Sequence, residues 1–146
     1  EDIWPWLVQI GYQRGGMYSY DWLDRLFGFL NRPSSNTILP EFQQLAVGDM
    51  IPWGHGDFLT VKALQPNHAL VLELNAHGMD WVWQFGLYPV DVNRTRLVTR
   101  GIERTPTSIP LRLGMLATEP AAFIMTTRML FGVKRRAEAL RRSRAE

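Results

Sequence analysis

The sequence predicts an α+β domain in which two short N-terminal helices precede an antiparallel β-meander and a long C-terminal helix closes over it. Three observations carry that prediction. Between Asp80 and Val90 the apolar residues Trp81, Trp83, Phe85 and Leu87 recur at every second position, which sets four large side chains on one face of a strand. Four further runs of the same period flank it, separated by short segments rich in Gly, Pro, Asn and Asp, as successive hairpins require. After Glu119-Pro120 the period changes to that of a helix.

The chain opens on a helix. Over residues 1–10 the acidic start and Pro5 suit a first turn, and Ile3, Trp6, Leu7 and Ile10 fall on one side. There is no initiator Met and no signal-peptide pattern, so a preceding segment is expected. Gly11 to Tyr18 reads as a glycine-bearing elbow, a hinge or lid. Ser19 is the expected N-cap of a second helix, Tyr20 to Phe27, ended by Gly28. Asn31 to Thr37 is a loop by composition, and one helical turn is expected after Pro40.

The expected strands are Asp49 to Trp53, Phe58 to Leu64, Ala69 to Asn75, Asp80 to Tyr88 and Thr95 to Arg104. Their faces agree. Leu59, Val61 and Ala63, then Leu70, Leu72 and Leu74, then the tryptophan row, then Leu97 and Thr99 share the buried side, with Lys62, Glu73, Arg96 and Arg100 opposite. Thr105 to Pro110 is a breaker. The closing helix is expected from Thr118 or Glu119 to about Arg144, with a stripe of Phe123, Ile124, Thr127, Leu130, Phe131, Ala137 and Leu140, widened by Met125, Met129 and Val133. Its first half is expected to pack and its second half to be solvated.

Composition narrows the function. A chain of 146 residues is one domain, and 46% hydrophobic content is that of a globular protein. With no cysteine there is no disulfide, no thiolate metal site and no Cys nucleophile, and a reducing cytoplasm is the expected location. No run of about 20 apolar residues exists to span a membrane. From Lys134 onward six basic residues face two acids, a balance of +4, leaving −2 on the preceding 133 residues. Such a tail either is a solvated helix end or touches an anionic membrane or an acidic partner. Nucleic acid is not an expected partner, because no aromatic platform is interleaved with those charges.

His55, His68 and His77 sit in turns at both ends of the meander and cannot converge on one ion, so no metal or other cofactor is expected. Arg14-Gly15-Gly16 lacks the ending of a phosphate loop. Tyr12, Arg14, Tyr18 and Tyr20 either form a polar mouth or simply pack the elbow.

At this point the residues resemble a known family. Trp4-Pro5-Trp6-Leu7-Val8-Gln9-Ile10-Gly11, Arg14-Gly15-Gly16 with Tyr18-Ser19-Tyr20-Asp21-Trp22-Leu23, Ile38-Leu39-Pro40-Glu41-Phe42-Gln43, Val47-Gly48-Asp49-Met50-Ile51-Pro52 and Glu119-Pro120-Ala121-Ala122-Phe123 with Arg128-Met129-Leu130 are similar to the START-like, birch-allergen-like (SRPBCC) superfamily. The likeness is to its bacterial polyketide cyclase/dehydrase-like branch. It implies a helix-grip fold, a curved sheet holding the long helix across an apolar tunnel for lipids, polyketides or similar molecules. Such proteins begin with a strand that this sequence does not contain. The tryptophan wall is either plain core or the lining of such a cavity, and in the second case the expected ligand-binding residues are Trp81, Trp83, Phe85, Leu70, Leu72, Leu74 and Phe123, with Tyr12, Arg14 and Tyr20 at the mouth. No catalytic residue is assigned. Only a minority of the superfamily is catalytic, so the alternatives are a cyclase or dehydratase using Tyr12, Arg14 or Tyr20, and an adaptor acting through the basic tail.

Overall fold

A computed structural model describes residues 1–76, 79–103 and 109–145. The fold is α+β and helix-grip-like. Two short helices, α1 (Trp4–Val8) and α2 (Asp21–Leu26), and a 3-10 turn at Pro40–Phe42 precede five strands: β1 (Met50–Gly54), β2 (Asp57–Gln65), β3 (Ala69–Ala76), β4 (Met79–Asp91) and β5 (Arg94–Glu103). These form one open antiparallel sheet in sequence order, and α3 (Ile109–Ala145) follows. The expected turn at His77-Gly78 and most of the expected breaker, residues 105–108, lie outside the described residues.

The hairpins form where turn chemistry allows them. Gly54, His55 and Gly56 all take positive φ between β1 and β2, and Asn67 does so between β2 and β3. Alternation then buries one face: Leu59, Val61, Leu70, Leu72, Leu74, Trp83, Phe85 and Leu87 are in the core. Ala63, expected beside them, is exposed. The register shifts between Val61 and Ala63, so that Ala63 pairs with Val71 and Leu64 pairs with the buried Leu70. A β-bulge adds one residue to a strand and turns everything after it over.

The N-terminal elbow departs from a hinge. Gly11 and Gly16 exchange backbone hydrogen bonds of 3.1 and 3.2 Å, Gly15 N donates to Gln9 O at 2.6 Å, and Ser35 N donates to Gly15 O at 2.8 Å. The loop is pinned shut. Gln9, fully buried, ties the next segment down: its Oε1 accepts from Leu39 N (2.9 Å) and Gln43 Nε2 (3.1 Å), and its Nε2 donates to Thr37 O (3.2 Å). Ser19 does not cap α2. Its Oγ donates instead to Asp24 Oδ2 at 2.7 Å, and the capping position is Tyr20 without a side-chain bond.

Helix α3 begins at Ile109, before its expected start at Thr118 or Glu119, and runs unbroken through Pro120, roughly 55 Å at 1.5 Å per residue. Its halves are reversed from expectation. Met129, Val133 and Ala137 join the sheet's core cluster, whereas Leu113, Leu116, Phe123, Ile124 and Phe131 are exposed. The seam lies along one edge of the expected stripe, with Met129, Val133 and Ala137 buried and Met125 and Leu140 half-buried, while Phe123, Ile124 and Phe131 of that stripe face solvent. Among the described residues no helix is long and apolar enough to cross a membrane.

The basic tail is attached to the body. Arg136 Nε donates to Ser35 O at 2.7 Å, Arg141 bonds Asn93 O and Oδ1 at 3.0 and 2.6 Å, and Arg144 meets Asp2 at 2.6 Å. Lys134 pairs with Glu138 one turn on, at 3.8 Å.

The seat of α3 is Gly132. A Cβ there would collide with the carbonyl oxygen of Tyr18 and lie 3.0 Å from its Cβ, so the helix touches the elbow's backbone directly. Gly132→Ala is expected to cost about 2 kcal/mol through overpacking, although alanine is the better helix former. Gly114→Ala in the exposed half, where nothing lies within 4 Å, should instead gain about 0.5–1 kcal/mol. Urea unfolding of the two variants checks the pair; equal shifts would show that Tyr18 does not constrain the helix.

Candidate ligand-binding site

The tryptophan row lies on the concave face of the sheet. Across the β3–β4 ladder Leu70 is opposite Phe85, Leu72 opposite Trp83 and Leu74 opposite Trp81, so the leucine and tryptophan rows form one continuous patch. Trp81 and Trp83 stack at 5.2 Å between centroids, and Trp83 and Phe85 follow at 4.6 Å. Trp83 is oriented by a relay: its Nε1 donates to Thr99 Oγ1 (2.9 Å), which donates to Gln84 O (3.0 Å). Trp81 leans over β5, where the absent side chain of Gly101 leaves room for its Nε1.

A further tryptophan completes the cluster. Trp53 on β1 approaches Trp81 and Trp83 to 5.5 and 5.4 Å, although β1 and β4 are three strand spacings apart, about 14 Å in a flat sheet. The sheet must curl for those rings to meet. Phe29, from the loop after α2, joins Trp53 at 5.0 Å, and His55 sits edge-on to Phe29. Trp53 and Phe29 are absent from the residues inferred from sequence. The signal was available for Trp53, the last residue of an expected strand, but its partners are set by curvature that alternation does not encode.

Burial divides the patch. Leu70, Leu72, Leu74, Trp83 and Phe85 are in the core, packed in one cluster with Met129, Val133 and Ala137 of α3. Trp81, Trp53 and Phe29 are only half-buried. Phe123, expected to face them from the helix as a wall residue, is instead 74% exposed, because it belongs to the half of α3 that is not seated on the core. The charge of that half is nonetheless felt at the tryptophan end of the sheet. Trp81 is paired with Glu103, whose carboxyl is raised in pKa by burial and by the charge of Glu119 on α3. Leu116 and Phe123 lie three residues before and four after Glu119, on the same side of the helix.

The residues expected at the mouth are dispersed. Arg14 turns back on α1, its Nη2 donating to Val8 O at 2.7 Å and its Nε to Ile10 O at 3.2 Å, with its guanidinium 4.3 Å from the centre of the Phe42 ring. It caps the last carbonyl of α1 and ties down the turn that follows. Burial lowers its pKa, with Asp49 opposing. Tyr12 is held by its backbone to Pro52 O at 2.8 Å. Tyr20 lies beneath Arg128, 5.3 Å from the guanidinium carbon, on the α2 side of α3. Among the described residues no three His, Cys, Asp or Glu groups gather as metal ligands would. His55 bonds Phe27 O at 2.6 Å and His68 bonds Pro66 O at 2.9 Å, and His77 is outside the described residues.

No protein-family model matches the chain, and neither does any curated protein or solved structure.

One buried acid near the elbow sets a pH dependence. Asp24 is 1% exposed, and burial pushes its carboxyl up to about 6; the Ser19 hydrogen bond works against the rise and the nearby Asp21 charge works with it. A folded-state value above the unfolded one of about 3.9 means that the folded chain holds the proton more tightly, so stability falls as pH rises from about 4 through about 6. Asp24→Asn should flatten that slope and be more stable at pH 7 by on the order of 1–2 kcal/mol. Unfolding free energies at several pH values test it; parallel slopes for the two proteins would refute the assignment.

Proposed function

We propose that this domain, a member of the START-like superfamily by resemblance of its motifs, binds a hydrophobic small molecule such as a lipid or polyketide against the Trp53, Trp81 and Trp83 rings. The observation that carries the reading is the unequal burial of that cluster. Its inner members are sealed by the seated half of α3. Its outer members, Trp53, Trp81 and Phe29, remain half-open at the end of the sheet approached by a helix segment whose Leu116 and Phe123 face solvent. Large rigid rings offer contact area at little entropic cost, and an apolar guest would remove both surfaces from water. The guest therefore occupies the mouth, between Trp81 and Phe123, rather than the sealed interior. A reducing cytoplasm suits a sequence without cysteine.

Two other readings draw less support. A cyclase or dehydratase using Tyr12, Arg14 or Tyr20 needs those groups to converge, and Arg14 is spent on the backbone carbonyls of Val8 and Ile10. A membrane adaptor needs a free basic tail, and Arg136, Arg141 and Arg144 are each bonded to the body.

Native mass spectrometry of the purified protein, followed by solvent extraction, is expected to reveal a bound apolar compound. Titration with a long-chain fatty acid should quench tryptophan emission, and Trp81→Ala should weaken that binding about tenfold, the equivalent of about 1.4 kcal/mol, while leaving cooperative unfolding intact. Absence of both a co-purifying compound and quenching would overturn the proposal, as would Trp81→Ala binding as the parent does.

A further inference from the structure

On the other side of α3 from the sheet's mouth chemistry, α2 and the middle of α3 border a hollow of about 500 Å³ that opens to solvent. Its charge is one-sided. Arg25, Arg128, Arg135 and Arg136 line it together with a single carboxylate, Asp21. Asp21 is already occupied, its Oδ1 accepting from Ser34 Oγ at 2.7 Å and its Oδ2 from Ser34 N at 3.2 Å. Nothing else on the wall offsets four guanidinium groups.

Arg136 is the fixed member. It is 8% exposed, lies 4.8 Å from the centre of the Tyr18 ring, and spends its Nε on Ser35 O and one N–H of Nη1 on Gly132 O (3.2 Å), so the donors left over are mainly those of Nη2. Arg135 is its neighbour in sequence and Arg128 stands about two helical turns before it on α3, and the charges of both depress the pKa of Arg136, an effect added to that of burial. Arg25 and Arg135 take part in none of the ion pairs found among the described residues. Tyr20 under Arg128 and the 67% exposed Trp22 provide a flat apolar shelf at the rim.

Like charges brought together repel, and the arrangement is relieved when an anion with two charges enters. Guanidinium forks match phosphate oxygens in geometry as well as sign. We propose that this hollow is a binding site for a phosphate monoester carried on a small planar or apolar body, with the phosphate held by Arg25, Arg128, Arg135 and the free nitrogen of Arg136, and the body resting on Tyr20 and Trp22. The site is independent of the hydrophobic mouth, and neither reading depends on the other.

Isothermal titration of the full chain at low salt, using phenyl phosphate, inorganic phosphate and vesicles of phosphatidylcholine containing phosphatidic acid, tests it. Phenyl phosphate is expected to bind more tightly than inorganic phosphate and to weaken as salt rises. Arg128→Gln and Arg135→Gln, both on the exposed side of the helix, should each reduce its affinity about tenfold, whereas Arg96→Gln on the outer face of β5 should not. Trp22→Ala should erase the preference for phenyl over inorganic phosphate while leaving the latter's affinity unchanged. No heat with phenyl phosphate up to about 10 mM, a concentration that would detect even millimolar affinity, would overturn the proposal. Equal binding by the Arg128 and Arg135 variants would do the same, and tighter association with the vesicles than with phenyl phosphate would replace the small-molecule ligand by a lipid headgroup.

Discussion

The structure depends on one close approach, that of Gly132 in α3 to the backbone of Tyr18. With no side chain at Gly132 the helix settles onto the carbonyl of Tyr18, and everything near the junction is arranged around that contact. Tyr18 takes a left-handed φ of 58°, an uncommon conformation for a residue with a bulky side chain, and is held there by Ser34 Oγ accepting from its N at 3.1 Å. Its ring meets Trp6 edge-on at 6.0 Å and carries Arg136 on its face. Its hydroxyl and the Trp6 indole nitrogen are buried without a hydrogen-bond partner among the described residues, a cost of a kcal/mol or more each that the surrounding packing must outweigh. One turn of helix thereby fixes α1, the pinned loop and the C-terminal helix relative to one another.

The second constraint is the curl of the sheet. Ring contacts between Trp53 and the Trp81–Trp83 pair require β1 to rise toward β4, and the same curvature gives the concave face on which α3 lies. Because Met129, Val133 and Ala137 fill that face at one end, the ring cluster is solid below and half-open above. The hydrophobic mouth and the arginine-lined hollow are thus products of the same helix. The seated half closes the core and presents Arg128, Arg135 and Arg136 to α2, while the other half extends past the rim.

Much of this was legible in the residues, and the failures have physical reasons. Period-two alternation placed all five strands and the buried row, since a strand's two faces see different solvents. The bulge after Val61 was invisible, because one inserted residue leaves the composition of the run unchanged and only the pairing partner reveals it. In α3 the apolar residues nearly encircle the first half, so periodicity could not tell which side was covered. The seam was instead marked by its exceptions. Arg136, a charge on the stripe of Val133, Ala137 and Leu140, and Gly132, a poor helix former at mid-helix, both signal direct contact with polar backbone. The elbow glycines looked like a hinge because sequence shows permissive backbone but not the hydrogen bonds that remove the freedom.

Pro120 gives the long helix a further property. Lacking an N–H, it leaves the carbonyl of Leu116 without its partner one turn back, between a stretch in which Leu113 and Leu116 are exposed and one anchored in the core by Met129, Val133 and Ala137. The rod is therefore weakest at that turn. Amide protons before the proline are expected to exchange with solvent through local fraying, and those around Met129 to Ala137 only when the whole domain opens.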